Sequence, residues 1–88
     1  MPNGWYFVYI LKSLQNGDHY KGYTDQDVFA RLANHNNGLT AYTAQHRPWQ
    51  LKFYCAFPTK LQAIRFEKYL KSGSGIAFSN KRLIIKSQ

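Results

Sequence analysis

Tyr9 and Tyr20 stand eleven residues apart, and Arg31 follows after eleven more. His35 comes four residues after Arg31, and Glu67, the only glutamate of the chain, lies in a later segment. A guanidinium forks onto phosphate oxygens, and an imidazole moves protons near neutral pH. A phenol donates or accepts a hydrogen bond, and a carboxylate ligates a hard cation. Together these are the groups needed to cut a phosphodiester with the help of a metal ion.

Each has a plainer reading that has to be weighed beside it. Arg31 and His35 fall at i and i+4, so on a helix they share a face and can meet one target, or simply sit in solvent. Tyr9 and Tyr20 are two of seven tyrosines and could pack as core rings. Gly22 is more telling, because a glycine inside a strand weakens pairing unless something approaches the backbone closely. Glu67 either pairs with Lys71 one turn later or ligates Mg²⁺. A lone carboxylate cannot build a two-metal clamp, so metal chemistry here would use a single ion. Asp18, Asp25 and Asp27 sit at turn or cap positions. One cysteine and three scattered histidines offer no zinc spacing, and Cys55 in its apolar run reads as a small buried hydrophobe. Gly73-Ser74-Gly75 is too short for a phosphate-binding loop and reads as a turn.

The elements that must position these groups follow from pattern. Trp5 to Leu11 is aromatic and β-branched, which predicts a largely buried strand. Asn16-Gly17 predicts a tight turn, and His19 to Thr24 the returning strand, so both tyrosines belong to one hairpin. Asp25 or Asp27 can cap a helix from about Val28, with Val28, Leu32 and His35 on one face. Asn36-Asn37-Gly38 ends it. Leu39 to Pro48 is polar and reads as an exposed loop. Trp49 to Phe57 predicts a third strand, and Thr59 caps a second helix through about Ser72, stopped by Gly73-Ser74-Gly75. Ser79 caps a short basic helix, Asn80 to Lys86, docked by Leu83, Ile84 and Ile85. The order is β-β-α-β-α-α, an α+β fold with an antiparallel sheet and flanking helices.

Eighty-eight residues predict a single domain spanning 1–88 with one modest core. Twelve Lys and Arg face four acids, a formal charge of +8. That much charge repels itself in so small a chain and is best accounted for by a polyanionic partner. No apolar run is long enough to span a bilayer and no broad amphipathic helix stands out, so a membrane partner is not expected. No secretory leader is visible, and the default expectation is a cytoplasmic protein.

Taken together, the blocks resemble the GIY-YIG nuclease superfamily. The likeness is greatest to its small single-domain bacterial members, related to the nuclease domain of the excision-repair endonuclease. Phe7-Val8-Tyr9 stands in the place of the first tripeptide and Tyr20-Lys21-Gly22 in the place of the second. Tyr23-Thr24 and Arg31-Leu32 fit, with one extra residue between Gly22 and Arg31. His35 to Gly38, Tyr42-Thr43, Arg47-Pro48-Trp49 and Ala63 to Lys71 look like the later blocks. The resemblance covers roughly residues 5 to 86.

The resemblance implies a three-stranded antiparallel sheet flanked by helices and one-metal hydrolysis of DNA, with Mg²⁺ or Mn²⁺. It implies that Tyr9 acts as general base or positions the attacking water, and that Tyr20 hydrogen-bonds the scissile phosphate or that water. Arg31 would stabilise the developing charge. His35 would assist proton transfer or bind phosphate, and Glu67 would hold the metal. A tyrosine base needs its phenol lowered from about 10, which a nearby cation can do. Lys12, Lys21, Arg47, Lys68, Asn80 and Lys81 are the candidate DNA contacts. Phe7 and Lys21 depart from the family tripeptides, and alternation along the strand turns Lys21 toward solvent or DNA, away from the site. A domain this small has little surface for reading sequence, so selectivity for DNA structure, or a protein partner for targeting, is expected. Action in DNA repair is a further implication. The alternatives are a basic nucleic-acid-binding module without catalysis and a protein-interaction domain with incidental charge.

Overall fold

The computed structural model describes residues 4–84. Its centre is a sheet of three antiparallel strands, β1 (Tyr6–Ser13), β2 (His19–Thr24) and β3 (Trp49–Phe57), in the order β2-β1-β3. Because β1 is central, both its faces are covered, and Val8, Tyr9, Ile10 and Leu11 are all buried. That is why the strand reads as an unbroken apolar run instead of alternating. The turn to β2 is built as expected: Gly17 takes φ +83° and the Asp18 amide donates to Asn16 Oδ1 at 2.9 Å.

Helix α1 (Val28–Asn36) is capped by Asp27, whose Oδ1 accepts from the Phe29 amide at 3.1 Å. It ends with Gly38 at φ +77°, where the Gly38 and Leu39 amides return to the carbonyls of His35 (3.2 Å) and Asn34 (3.1 Å). This is the paired C-terminal bonding that glycine allows. Asn36 then links the helix to β3: its side chain accepts from the Trp49 amide at 2.6 Å and donates to the Trp49 carbonyl at 3.1 Å.

Several local expectations are corrected. The segment read as an exposed loop contains a one-turn helix, α2 (Ala41–Ala44), with Thr43 fully buried. Four residues are too few to show a helical period. Helix α3 (Lys60–Leu70), capped by Thr59, ends two residues earlier than Ser72. Ser72 instead caps another helix, α4 (Gly73–Phe78), so Gly73-Ser74-Gly75 starts a helix where a stop was expected. Gly75 is there for closeness: a Cβ at that position would collide with the backbone carbonyl of Tyr69. Next comes a π-helical turn (Ser79–Leu83), in which Ser79 Oγ donates back to the Gly75 carbonyl at 2.8 Å instead of capping a new helix. Of the docking residues expected there, Leu83 and Ile84 pack into the core, and Ile85 and Lys86 lie outside the described residues.

The pleat of β1 separates two interiors. Val8 and Ile10 pack with Ala63, Leu70 and Ile84 beneath α3, with Cys55 half-buried beside them. Tyr9 and Leu11 pack with Val28 and Trp49 beneath α1. Among the described residues no helix is long and apolar enough to cross a membrane.

Candidate active site

Tyr9 pairs with Gly22 across β1 and β2. A Cβ on Gly22 would lie 2.8 Å from the Tyr9 hydroxyl and 3.2 Å from Tyr20 Cε2. The missing side chain is therefore what lets the two phenol rings converge over the edge strand, with centroids 6.4 Å apart. The strand glycine singled out in the sequence is explained by this close approach.

The Tyr9 hydroxyl meets His35 Nε2 at 3.0 Å. On the far side of the ring, Nδ1 meets Thr43 Oγ1 at 2.8 Å, and that hydroxyl donates to the Thr40 carbonyl at 3.3 Å. With its proton committed to Thr40, Thr43 accepts from Nδ1–H, so Nε2 is left as the acceptor for the phenol. The imidazole has no solvent exposure. Burial first, and the Arg31 charge second, push its pKa down to about 4, so it stays neutral at physiological pH. Phosphate binding, one of the two roles implied for His35, is closed to a ring that is fully covered and bonded through both nitrogens. Contact with the phenol remains.

Tyr20 lies over the same cluster, with its ring centroid 5.1 Å from His35 and 6.2 Å from Trp49. Arg31 acts on Tyr9 through hydrogen bonding and charge, both of which lower the phenol pKa. Burial outweighs it, and the net shift of Tyr9 is upward. The lowered phenol expected of a tyrosine base is thus absent in the chain by itself, because one guanidinium does not offset the loss of water around the ring.

Glu67 reaches the site from α3. It acts on Tyr9 through space, raising the phenol pKa by charge. It also pairs with Lys71 at 2.6 Å, with only 15% of its side chain exposed. Among the described residues no three His, Cys, Asp or Glu cluster as metal ligands. Glu67 therefore stands as a single carboxylate, as its solitude in the sequence implies.

The candidate DNA contacts scatter. Lys68, Asn80 and Lys81 are exposed. Lys12 is half-buried on β1, near enough to depress the pKa of His19 by charge. Arg47 folds back to donate to the Ala44 carbonyl at 2.9 Å. Lys21 corrects the expectation of a solvent-facing side chain: its Nζ donates to the Leu70 carbonyl at 2.9 Å. There it meets the negative end of α3, and burial, then the charge of Lys71, lowers its pKa.

With this geometry in view, the comparisons with known proteins are decisive about kinship. Residues 5–77 match the family model described as the GIY-YIG catalytic domain. The chain belongs to the GIY-YIG family. A UPF0213 protein of Lacticaseibacillus paracasei is 43% identical over 72 residues, which is 81% of this chain and 79% of that one. The UPF0213 protein YazA of Bacillus subtilis is 40% identical over 72 residues, 81% of this chain and 71% of that one. The solution NMR structure of the UPF0213 protein BH0048 from Bacillus halodurans aligns with a TM-score of 0.50 at 35% identity, covering 84% of this chain and 80% of that one. Those names state no reaction, so the chemistry has to be argued from the GIY-YIG site itself. Asn80, the loosest of the residues carried over, lies outside the matched span.

Sequence reasoning passed over Thr43, which orients His35, and Trp49, whose indole Nε1 donates to the Thr43 carbonyl at 2.8 Å. The signal was present in the Tyr42-Thr43 block. A polar stretch gives no sign of which of its hydroxyls turns inward.

Proposed function

We propose that this protein is an endonuclease that hydrolyses DNA phosphodiesters with one divalent ion, Mg²⁺ or Mn²⁺, held by Glu67. The observation that carries this reading is the Tyr9 phenol, held between the neutral His35 Nε2 at 3.0 Å and the cation Arg31. A buried phenol that only filled the core would need one hydrogen-bond partner, whereas this one has both an imidazole acceptor and a cation.

The donor set fits such an ion. Mg²⁺ takes one or two carboxylates, keeps several waters and accepts substrate phosphate oxygens, so one glutamate suffices once Lys71 releases it. When bound, the ion supplies Lewis-acid stabilisation of charge on the phosphate. The chain's own residues do the rest. The Tyr9 phenol donates to the neutral His35 Nε2, which leaves its oxygen lone pair to accept from and position the attacking water. The water oxygen bonds to phosphorus, the P–O bond to the leaving oxygen breaks, and the proton released by the water passes through solvent to the leaving oxygen. Arg31 stabilises the charge that develops on the phosphate, and Tyr20 orients the phosphate or the water by its hydroxyl. The small surface supports selectivity for DNA structure over sequence, with a protein partner as the other route to targeting.

A second reading, a nucleic-acid-binding module without catalysis, draws on the Glu67–Lys71 pair, which a purely structural glutamate would also make. A cleavage screen over branched, nicked, single-stranded and duplex DNA with Mg²⁺ or Mn²⁺ separates the two. The nuclease reading expects divalent-dependent cutting that falls by about 10²-fold or more in Glu67→Ala. No cutting of any substrate, with Glu67→Ala only tightening binding, would establish the second reading instead.

A further inference from the structure

Beside the candidate active site lies a cavity of about 290 Å³ that the proposed chemistry leaves unused. It is lined by His19, Tyr20, Lys21, Tyr42, Lys71 and Ile76. Its volume is near the lower edge of small-ligand clefts, roughly 300 Å³, which suits one flat ring system. Tyr42 stands at its wall half in solvent, with 52% of its surface exposed. Its ring is held in place by its neighbours, stacked 6.2 Å from Tyr20 at an interplanar angle of 30° and 5.0 Å from His46.

The polar lining is cationic or neutral, and no acid is among the residues that line the cavity. Lys21 spends one donor on Leu70 and keeps two more. The larger cavity at the other end of β2, about 420 Å³, is lined by Arg31 and Lys60 beside Asp25 and so belongs with the phosphate chemistry already proposed for Arg31. Tyr20 belongs to both the smaller cavity and the phenol cluster. A phosphate held at Tyr20 therefore has its own nucleotide, or the next one, within reach of Tyr42.

We propose that this cavity seats one unpaired nucleobase, stacked on Tyr42, from the nucleotide adjoining the bound phosphate. The seat rests on the nuclease reading for its nucleic-acid partner and adds a substrate class, namely strands with an unstacked base at the cut. A base inside a duplex is stacked on its neighbours and presents no free face, whereas single strands, flaps and frayed ends do. Stacking on an aromatic ring tolerates any base, so this device selects structure without reading sequence.

Binding in EDTA, where cleavage cannot intervene, tests the seat. Fluorescence anisotropy is measured with a short oligothymidylate, its oligouridylate counterpart and an abasic strand of equal length, which keeps the phosphates but lacks the bases. The protein is expected to prefer strands with bases over the abasic strand. Tyr42→Ala should weaken binding by roughly 5- to 100-fold in the preferred arm, and Tyr42→Phe should keep it. The arm that binds more tightly tells DNA from RNA. Equal binding of abasic and intact strands, or a Tyr42→Ala variant that binds as tightly as the parent, overturns the seat. Because cleavage by the parent and its loss in Glu67→Ala are scored separately, the nuclease reading stands or falls on its own.

Discussion

Strand β1 faces two interiors that differ in kind. Val8 and Ile10 point into an interior built on the buried apolar residues Ala63, Leu70 and Ile84. Tyr9 and Leu11, one residue along, point into an interior that also holds the buried polar pair His35 and Thr43. The first is held by non-directional burial, in which volume matters most. The second depends on directional bonds between a phenol, an imidazole and a hydroxyl. One pleated strand therefore carries stability on one face and chemistry on the other, and neighbouring substitutions should fail in different ways.

The sharpest break of that contrast is a pair of adjacent substitutions. Ile10→Ala should cost about 2–5 kcal/mol of unfolding free energy in urea titration, through lost burial and a cavity. Tyr9→Phe removes only a hydroxyl but leaves His35 Nε2 unpaired, which should cost about 1–3 kcal/mol, yet abolish most cleavage. Equal destabilisation by the two would erase the distinction between the faces.

Acid should act chiefly on the α1 side, where the downward shift of His35 is large, and less on β2, where His19 is also lowered. The His35 pKa is about 4 in the folded chain against 6.5 for the ordinary side chain. As pH falls, the unfolded chain takes up its proton first. The His35 contribution to stability is thus fully present above 6.5, is lost progressively as pH falls toward 4, and changes no further below that. The loss is at most about 3 kcal/mol. Denaturation midpoints at a series of pH values should show this decline in the parent and a shallower one in His35→Gln.

Gly22→Ala comes next. Its Cβ would sit 2.8 Å from the Tyr9 hydroxyl, so the phenol must move. A stability loss of about 1–3 kcal/mol is expected, with a larger proportional loss of cleavage, read by comparing thermal melts with initial rates. The smallest effect should come from Thr43→Val, which keeps the shape but removes the hydroxyl at Nδ1. It should cost about 1–2 kcal/mol and alter the pH profile of cleavage, since the ring tautomer is no longer fixed. An unchanged profile would mean that Thr43 only packs.

Much of this could be read from the chain. The hairpin followed from apolar patterning and Asn16-Gly17, because short-range turn chemistry is written in neighbouring residues. Asp25 or Asp27, and Asn36-Asn37-Gly38, marked the ends of α1 for the same reason. Gly22 was legible as a close approach, though not what approached it. The short helices α2 and α4 were not legible, since one turn shows no period and Gly75 looks like a breaker until Tyr69 is seen against it. Lys21 was misread because alternation gives the face of a side chain but not what lies across from it. The answer was the end of α3, 49 residues away in sequence.

By itself, the sequence determined the strands, the caps of α1 and α3, the basic charge and the five side-chain types of the candidate site, all of which depend on local preference or composition. Only the tertiary structure decided that His35 is a buried partner of Tyr9, not a ligand of phosphate. That bond joins residues 26 apart, and the burial that keeps the imidazole neutral exists only once α1, α2 and the sheet have closed around it. Desolvation is a property of the assembled interior, and no local pattern of residues encodes it.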